Sequence, residues 1–250
     1  MKKIPRTYSL VHNKLFSPNT SAQEIYEDFI KEISCESTLW LDLGCGHQLF
    51  RSWRISEEKR LLHNRKHFLG LDYDFDSLLE HRTTKKLIRG DMVNLPLKSN
   101  SLDLVTSNMV VEHLQNPNES FKEINRVLKN NGLFIFHTPN AYSFETALAR
   151  LIPGKIKGKL IKGLEGREEK DVFKTYYYVN TKKQIKEISR NSGFIIKDFI
   201  LVFETVAKFK VVPVIGVIEV LLRKILSLNI FVWFRTNIIC TLKKDDSSQS

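Results

Sequence analysis

At 250 residues, 42% of them hydrophobic and 27% charged, the chain is long enough to bury one full core, and the mixture excludes wholesale disorder and a multispanning membrane protein. A formal net charge of +11 favours an anionic partner, whether nucleic acid, an acidic lipid surface or a phosphorylated substrate. Cys35, Cys45 and Cys240 have no ligand-like spacing and residues 1–6 are followed by no apolar run of signal length, so a cytoplasmic protein without a disulfide framework or zinc site is expected.

Ile25, Tyr26, Phe29, Ile30 and Ile33 recur at helical spacing and predict an amphipathic helix covering one face of a sheet. Leu39, Trp40, Leu41 and Leu43 make the near-continuous apolar run of a buried parallel strand, interrupted by Asp42. It runs into Gly44-Cys45-Gly46, where the two glycines allow a tight turn and close approach to a nucleotide-like ligand. Alone, such a G-x-G is as much at home in an ordinary turn. The charged, irregular stretch 51–66 reads as a solvated helix or loop without chemistry.

Residues 67–72 predict a second strand ending in Asp72. An acidic residue there can accept hydrogen bonds from both hydroxyls of a ribose, or it can cap the helix turn that follows. A third strand over 86–90 is followed by Asp91, and a fourth, from Leu102, leads to Ser107-Asn108-Met109. Phe121, Ile124 and Leu128 share one helical face, with Asn130-Asn131-Gly132 as the expected stop, and 133–136 is a fifth strand. This alternation predicts an α/β protein with a doubly wound, Rossmann-like parallel sheet.

Beyond strand five, Tyr142, Phe144, Leu148, Leu151 and Ile152 predict an amphipathic helix that stops at Pro153-Gly154 and is followed by a basic loop. Residues 141–174 are thus a first insert, either a solvated loop or a mobile lid over an acceptor pocket. Thr181 and Gln184 have capping-box spacing for a helix ended by Gly193, and 194–203 and 236–242 read as strands six and seven. Between those strands, about 205–234, lies a second insert. Residues 211–228 are apolar nearly all round except for a thin stripe of Glu219, Arg223 and Lys224, too short and too charged to span a bilayer. The segment suits a membrane interface, with Lys208, Lys210, Arg223, Lys224 and Arg235 meeting anionic headgroups, or an oligomer contact, or core. One domain over 1–250 is expected, its core at about 20–140 and 175–244.

Four blocks in this order resemble the class I S-adenosylmethionine-dependent methyltransferases of the type 11 group: Leu41-Asp42-Leu43-Gly44-Cys45-Gly46, Gly70-Leu71-Asp72, the loop 90–97, and Val110-Val111-Glu112-His113-Leu114 through Gly132. The resemblance implies S-adenosylmethionine as cofactor and a seven-stranded sheet whose last strand is antiparallel and lies at the edge. It implies that Asp42, Gly44, Cys45 and Gly46 form the cofactor loop, its glycine backbone facing the methionine part. Asp72, with Tyr73 beside it, would hold the ribose; Asp91 would take the adenine amino group, Met92 would pack on the ring, and Asn108 would lie near the methionine end. Gln48 stands where the group most often has a third glycine, so the turn after Gly46 must differ.

His113 is the candidate base, or shapes the pocket. Met109 replaces the first Glu of the Glu-x-x-Glu-His metal site known in some relatives, so no metal is predicted. The Phe-x-Thr-Tyr-Tyr pattern at 173–177 resembles bacterial methyltransferases found with surface-glycan genes, which places Tyr176 or Tyr177 at the acceptor or, alternatively, in aromatic core. The expected reaction is O-methylation of a sugar hydroxyl in a surface glycan or its lipid-linked precursor, at the inner membrane face, with a homodimer possible. The alternatives are another small-molecule acceptor and an inactive binding protein. RNA is disfavoured, because no basic stripe is interleaved with stacking aromatics.

Overall fold

The computed structural model describes residues 6–16, 21–34, 38–63, 67–151, 174–205 and 213–245. Seven strands form one sheet: β1 Trp40–Leu43, β2 Phe68–Asp72, β3 Leu87–Arg89, β4 Leu102–Asn108, β5 Leu128–Pro139, β6 Phe194–Val202 and β7 Asn237–Lys244. Their order is β3-β2-β1-β4-β5-β7-β6, with β7 antiparallel. Parallel pairing of β1 with β2 (Asp42 opposite Gly70) and with β4 (Asp42 opposite Thr106) places β1 at the centre. All four of its residues are buried, as its unbroken apolar run requires. The fold is that of a Rossmann-like doubly wound sheet.

Three local expectations are corrected. Strand seven does not lie at the edge: β7 is inserted between β5 and β6, and Ile238 through Leu242 are buried. The stretch 130–132 does not stop a helix. Helix α5, Pro117–Val127, ends earlier and passes straight into β5. Leu102 pairs with Leu128 and Leu104 with Leu133, so the asparagines bulge out of the strand, and Asn131, at φ +63°, carries the bend. The stretch 51–66 is not simply solvated either. It forms a 3-10 turn, Ser52–Arg54, and helix α3, Ile55–His63, and two of its charged residues, Arg54 and Glu58, are buried with partners, while Arg51, Lys59 and Arg60 face solvent.

Arg54 donates to Glu27 Oε2 at 2.9 Å, Asp28 Oδ1 at 2.5 Å and Glu57 Oε2 at 2.8 Å, which ties α2, Ala22–Ile33, to the start of α3. Arg54 and Lys31 beside Glu57 hold its carboxyl down at about 2. Fully buried Glu58 accepts from the Phe50 N–H at 2.8 Å and from the Thr83 hydroxyl.

Residues group into two compact units, one of 1–25, 139–174 and 201–237 and the other of 26–138, 175–200 and 238–250. The second holds most of the sheet, α3, α4 (Phe75–Leu79), α5 and α7 (Lys182–Asn191). The Thr181 hydroxyl accepts from Gln184 N–H at 3.2 Å, while Gln184 Oε1 accepts from Asn180 N–H, which is the predicted cap.

The first unit holds α1 (Arg6–Leu15), α6 (Phe144–Leu151), α8 (Pro213–Leu226) and a 3-10 turn, Asn229–Phe234. Phe16 and Val220 form its small core, with Val11, Leu15 and Phe203 packed around them. Asn140 organises it: its amide donates to the carbonyls of Trp233 and Arg235, both at 2.8 Å, and its Oδ1 accepts from Tyr142 N–H just before α6. Of the predicted polar stripe of α8, Glu219 and Arg223 are turned inward while Lys224 stays exposed. Arg223 is fully buried, donating to Glu145 at 2.5 Å, Glu219 at 2.7 Å and the Glu204 carbonyl at 2.6 Å, so it cannot meet headgroups. The basic loop after α6, together with Lys208 and Lys210, lies outside the described residues.

Candidate active site

Where β1 ends, Gly44 and Gly46 take left-handed backbone, at φ +69° and +51°. A Cβ on Gly44 would stand 2.3 Å from Val110 Cγ2, whereas one on Gly46 would meet nothing within 4 Å. The loop is therefore pressed against the segment after β4 at its first glycine and open at its second. Gln48 is not among the residues with positive φ, so the missing third glycine strains nothing.

Leu71 carbonyl at the end of β2 accepts from Gly44 N–H at 2.8 Å, and Asp72 Oδ2 accepts from Gly46 N–H at 2.7 Å. Asp72 Oδ1 accepts from Asp74 N–H at 2.9 Å, but the capping of α4 belongs to Asp74, which accepts from Asp76 and Ser77. The Asp72 carboxylate is thus aimed by backbone at the loop, with two of about four lone-pair sites left to accept from a ligand. That capacity, beside an open glycine, fits a ribose diol.

Around this centre Tyr73 is exposed, and Asp91 is exposed with its Oδ1 accepting from Val93 N–H at 3.2 Å. Met92 is buried. Asn108 closes β4 and pairs through Oδ1 with His137 Nδ1 at 2.9 Å. Asp42 and Cys45 are buried beneath the loop. Asp42 accepts from the Thr106 hydroxyl at 2.6 Å, and burial raises its carboxyl to about 7; burial likewise pushes the Cys45 thiol up.

A second group gathers after β4. Met109, at φ +57°, leads into a 3-10 turn, Val111–His113. His113 is half-buried, with Nε2 3.9 Å from Glu112 Oε1. Glu112 is buried, its Oε2 accepts from the Thr138 hydroxyl at 2.9 Å, and the Asn180 amide donates to that same hydroxyl at 2.8 Å. Burial raises the Glu112 carboxyl to about 7. Its carbonyl accepts from Tyr176 N–H at 2.8 Å and Tyr177 N–H at 3.2 Å, so the tyrosine segment is fastened to the His113 turn. Both tyrosines are half-buried, and Tyr177 has φ +56°. Glu112 and its Thr138–Asn180 support are not among the site residues expected from sequence. A carboxylate between apolar neighbours in Val-Val-Glu-His-Leu was the available signal.

Residues 41–136 match the profile of the methyltransferase domain family. That span is a methyltransferase domain, and the findings support a chain of the class I S-adenosylmethionine-dependent kind. Over 204 residues it is 26% identical to an uncharacterized protein of Methanocaldococcus jannaschii, covering 77% of this chain and 73% of that one. It is 32% identical over 112 residues to the malonyl-[acyl-carrier protein] O-methyltransferase of Legionella pneumophila, covering 42% of this chain and only 37% of that enzyme. An S-adenosylmethionine-dependent methyltransferase structure from Mesorhizobium loti superposes with a TM-score of 0.55 at 19% identity, over 87% of this chain and 96% of that one, a likeness of fold. The matched span contains the glycine loop, Asp72, Asp91, Asn108 and the Glu112–His113 turn.

Proposed function

We propose that this methyltransferase methylates a hydroxyl oxygen, and that its acceptor is a sugar of a surface glycan or of its lipid-linked precursor. The observation that carries the reading is the buried Glu112 carboxyl beside His113, with Tyr176 and Tyr177 fastened to the same turn. A neutral hydroxyl must lose its proton as it is methylated, and this is the group of side chains suited to taking it.

S-adenosylmethionine, when bound, supplies an already activated sulfonium methyl group, so the protein's work is alignment and proton removal. The loop at Gly44 and Gly46 lets the backbone come close to the methionine part. Asp72, with Tyr73 beside it, accepts from the ribose hydroxyls, Asp91 accepts from the adenine amino group, Met92 packs on the ring and Asn108 orients the methionine end. Asp42 and Cys45 support the loop from below. A ring nitrogen of His113 takes the acceptor proton, Glu112 stabilises the imidazolium that results, and Tyr176 or Tyr177 directs its hydroxyl to the sugar. The left-handed backbone at Met109 and Tyr177 supports this placement, since such strain concentrates at working sites.

The Legionella relative is named for O-methylation of a malonyl group, which gives a second reading in which the acceptor is a carboxylate and needs no base. Incubation with methyl-labelled S-adenosylmethionine and glycan extract separates the two. Label retained in carbohydrate after mild alkali, as a methyl ether, supports the sugar hydroxyl. Label released by alkali is a methyl ester and contradicts it. Absence of transfer with cofactor bound would make the chain a binding protein.

A further inference from the structure

Helix α8 is built inside out. Gly216, Glu219, Val220 and Arg223 share one face and are buried, with Arg223 fully enclosed between Glu145 and Glu219 and its guanidinium stacked over Phe144 at 5.3 Å. A helix on a protein surface ordinarily turns its apolar stripe inward and its charges to water. Here the opposite face carries Val214, Ile218, Leu221 and Ile225 into solvent, and the following 3-10 turn adds Ile230, 78% exposed, and Trp233, 54% exposed. A contiguous apolar face of this kind marks an interaction surface.

We infer that this face seats in the interfacial layer of an anionic lipid bilayer, with α8 lying in the plane of the membrane. Charge chooses the occupant. From 213 to 236 the sole acidic residue is Glu219, which is buried against Arg223, while Lys224 is exposed at the margin of the apolar face and Arg235 follows the turn. The chain as a whole carries a net charge of +11. Cations flanking an apolar face with an aromatic at its end suit anionic headgroups. A second copy, meeting the same face by two-fold symmetry, would bring further cations and no exposed acid to pair with them. At 14 residues α8 reaches about 21 Å, short of the roughly 30 Å hydrocarbon core, and no described helix is long and apolar enough to cross a membrane. The geometry is that of a segment resting on the surface. It stands apart from the acceptor proposal, because a membrane contact is measurable with no acceptor present.

The test is sedimentation of the full chain with phosphatidylcholine vesicles, with and without phosphatidylglycerol. Binding to the mixed vesicles is expected, accompanied by a blue shift of the emission that Trp233→Phe removes. Ile218→Asp and Ile230→Asp, each an exposed position, should weaken vesicle partition about ten-fold or more, the equivalent of losing one large apolar side chain from the contact. Lys224→Glu should weaken it for the anionic mixture alone. Retained S-adenosylmethionine binding by the variants separates a lost contact from a lost fold. Failure of the wild type to sediment with either vesicle overturns the inference. So does a stable dimer in analytical ultracentrifugation that Ile218→Asp dissociates and mixed vesicles do not.

Discussion

Gly44 and Gly46 stand two residues apart, yet a methyl group added at each meets different surroundings. At Gly44 it must overcome both the left-handed backbone and Val110 at 2.3 Å; at Gly46 only the backbone resists. Left-handed backbone costs an L-residue about 1–2 kcal/mol and overpacking about 1–3 kcal/mol more. Gly44→Ala should therefore lose roughly twice the unfolding free energy that Gly46→Ala loses, as read by urea denaturation. Equal losses would mean that the loop is not pressed on Val110.

Glu112 sets a pH dependence. Its carboxyl, raised to about 7 by burial, is neutral on the acid side of that value and anionic on the alkaline side. Only the anion stabilises an imidazolium on His113, so kcat/KM should rise with pH through about 7. Glu112→Gln keeps an oxygen for the Thr138 hydroxyl but cannot ionise. It should flatten that limb and lower the alkaline plateau by roughly ten-fold or more. An unchanged pH profile would reduce Glu112 to a purely structural group. The places of Asp72 and Asp91 were legible because an acid at or just past the end of a short apolar strand stands out in sequence. Glu112 was not, because what matters is the Thr138 hydroxyl it meets 26 positions away.

At the scale of elements, α2 and α3 are joined by Arg54 through Glu27, Asp28 and Glu57. Removing the guanidinium leaves Glu27, which is fully buried, with an uncompensated charge. Arg54→Ala should cost about 3–5 kcal/mol, measurable as a large fall in the thermal midpoint, while Arg51→Ala close by should cost little. Similar midpoints for the two variants would count against the buried cluster. In sequence this stretch looks solvated, because charges buried by mutual pairing look, along one chain, like charges facing water. In α8 the same ambiguity ran the other way. A helix apolar nearly all round does not declare which face turns inward, and Glu145, which helps to enclose Arg223, sits 78 positions away. Strand β7 was legible as a strand but not its neighbours, since alternation within a strand says nothing about what pairs with it.

At the scale of the whole molecule, the central strands place the glycine loop, Asp72 and the Glu112–His113 turn beyond their carboxyl ends, where open parallel sheets bind ligands. All the chemistry proposed for this chain depends on that cofactor surface. Its most direct test is calorimetric titration with S-adenosylmethionine of the wild type beside Asp72→Ala, which deletes the two charge-assisted hydrogen bonds expected from the ribose, worth about 1.5–3 kcal/mol each, together with the hold on Gly46 N–H. Saturable one-to-one binding weakened about a hundred-fold or more in the variant, with an unchanged fold by circular dichroism, is the predicted result. Binding of equal strength in both proteins would place the cofactor elsewhere, and no binding by the wild type would contradict the site altogether.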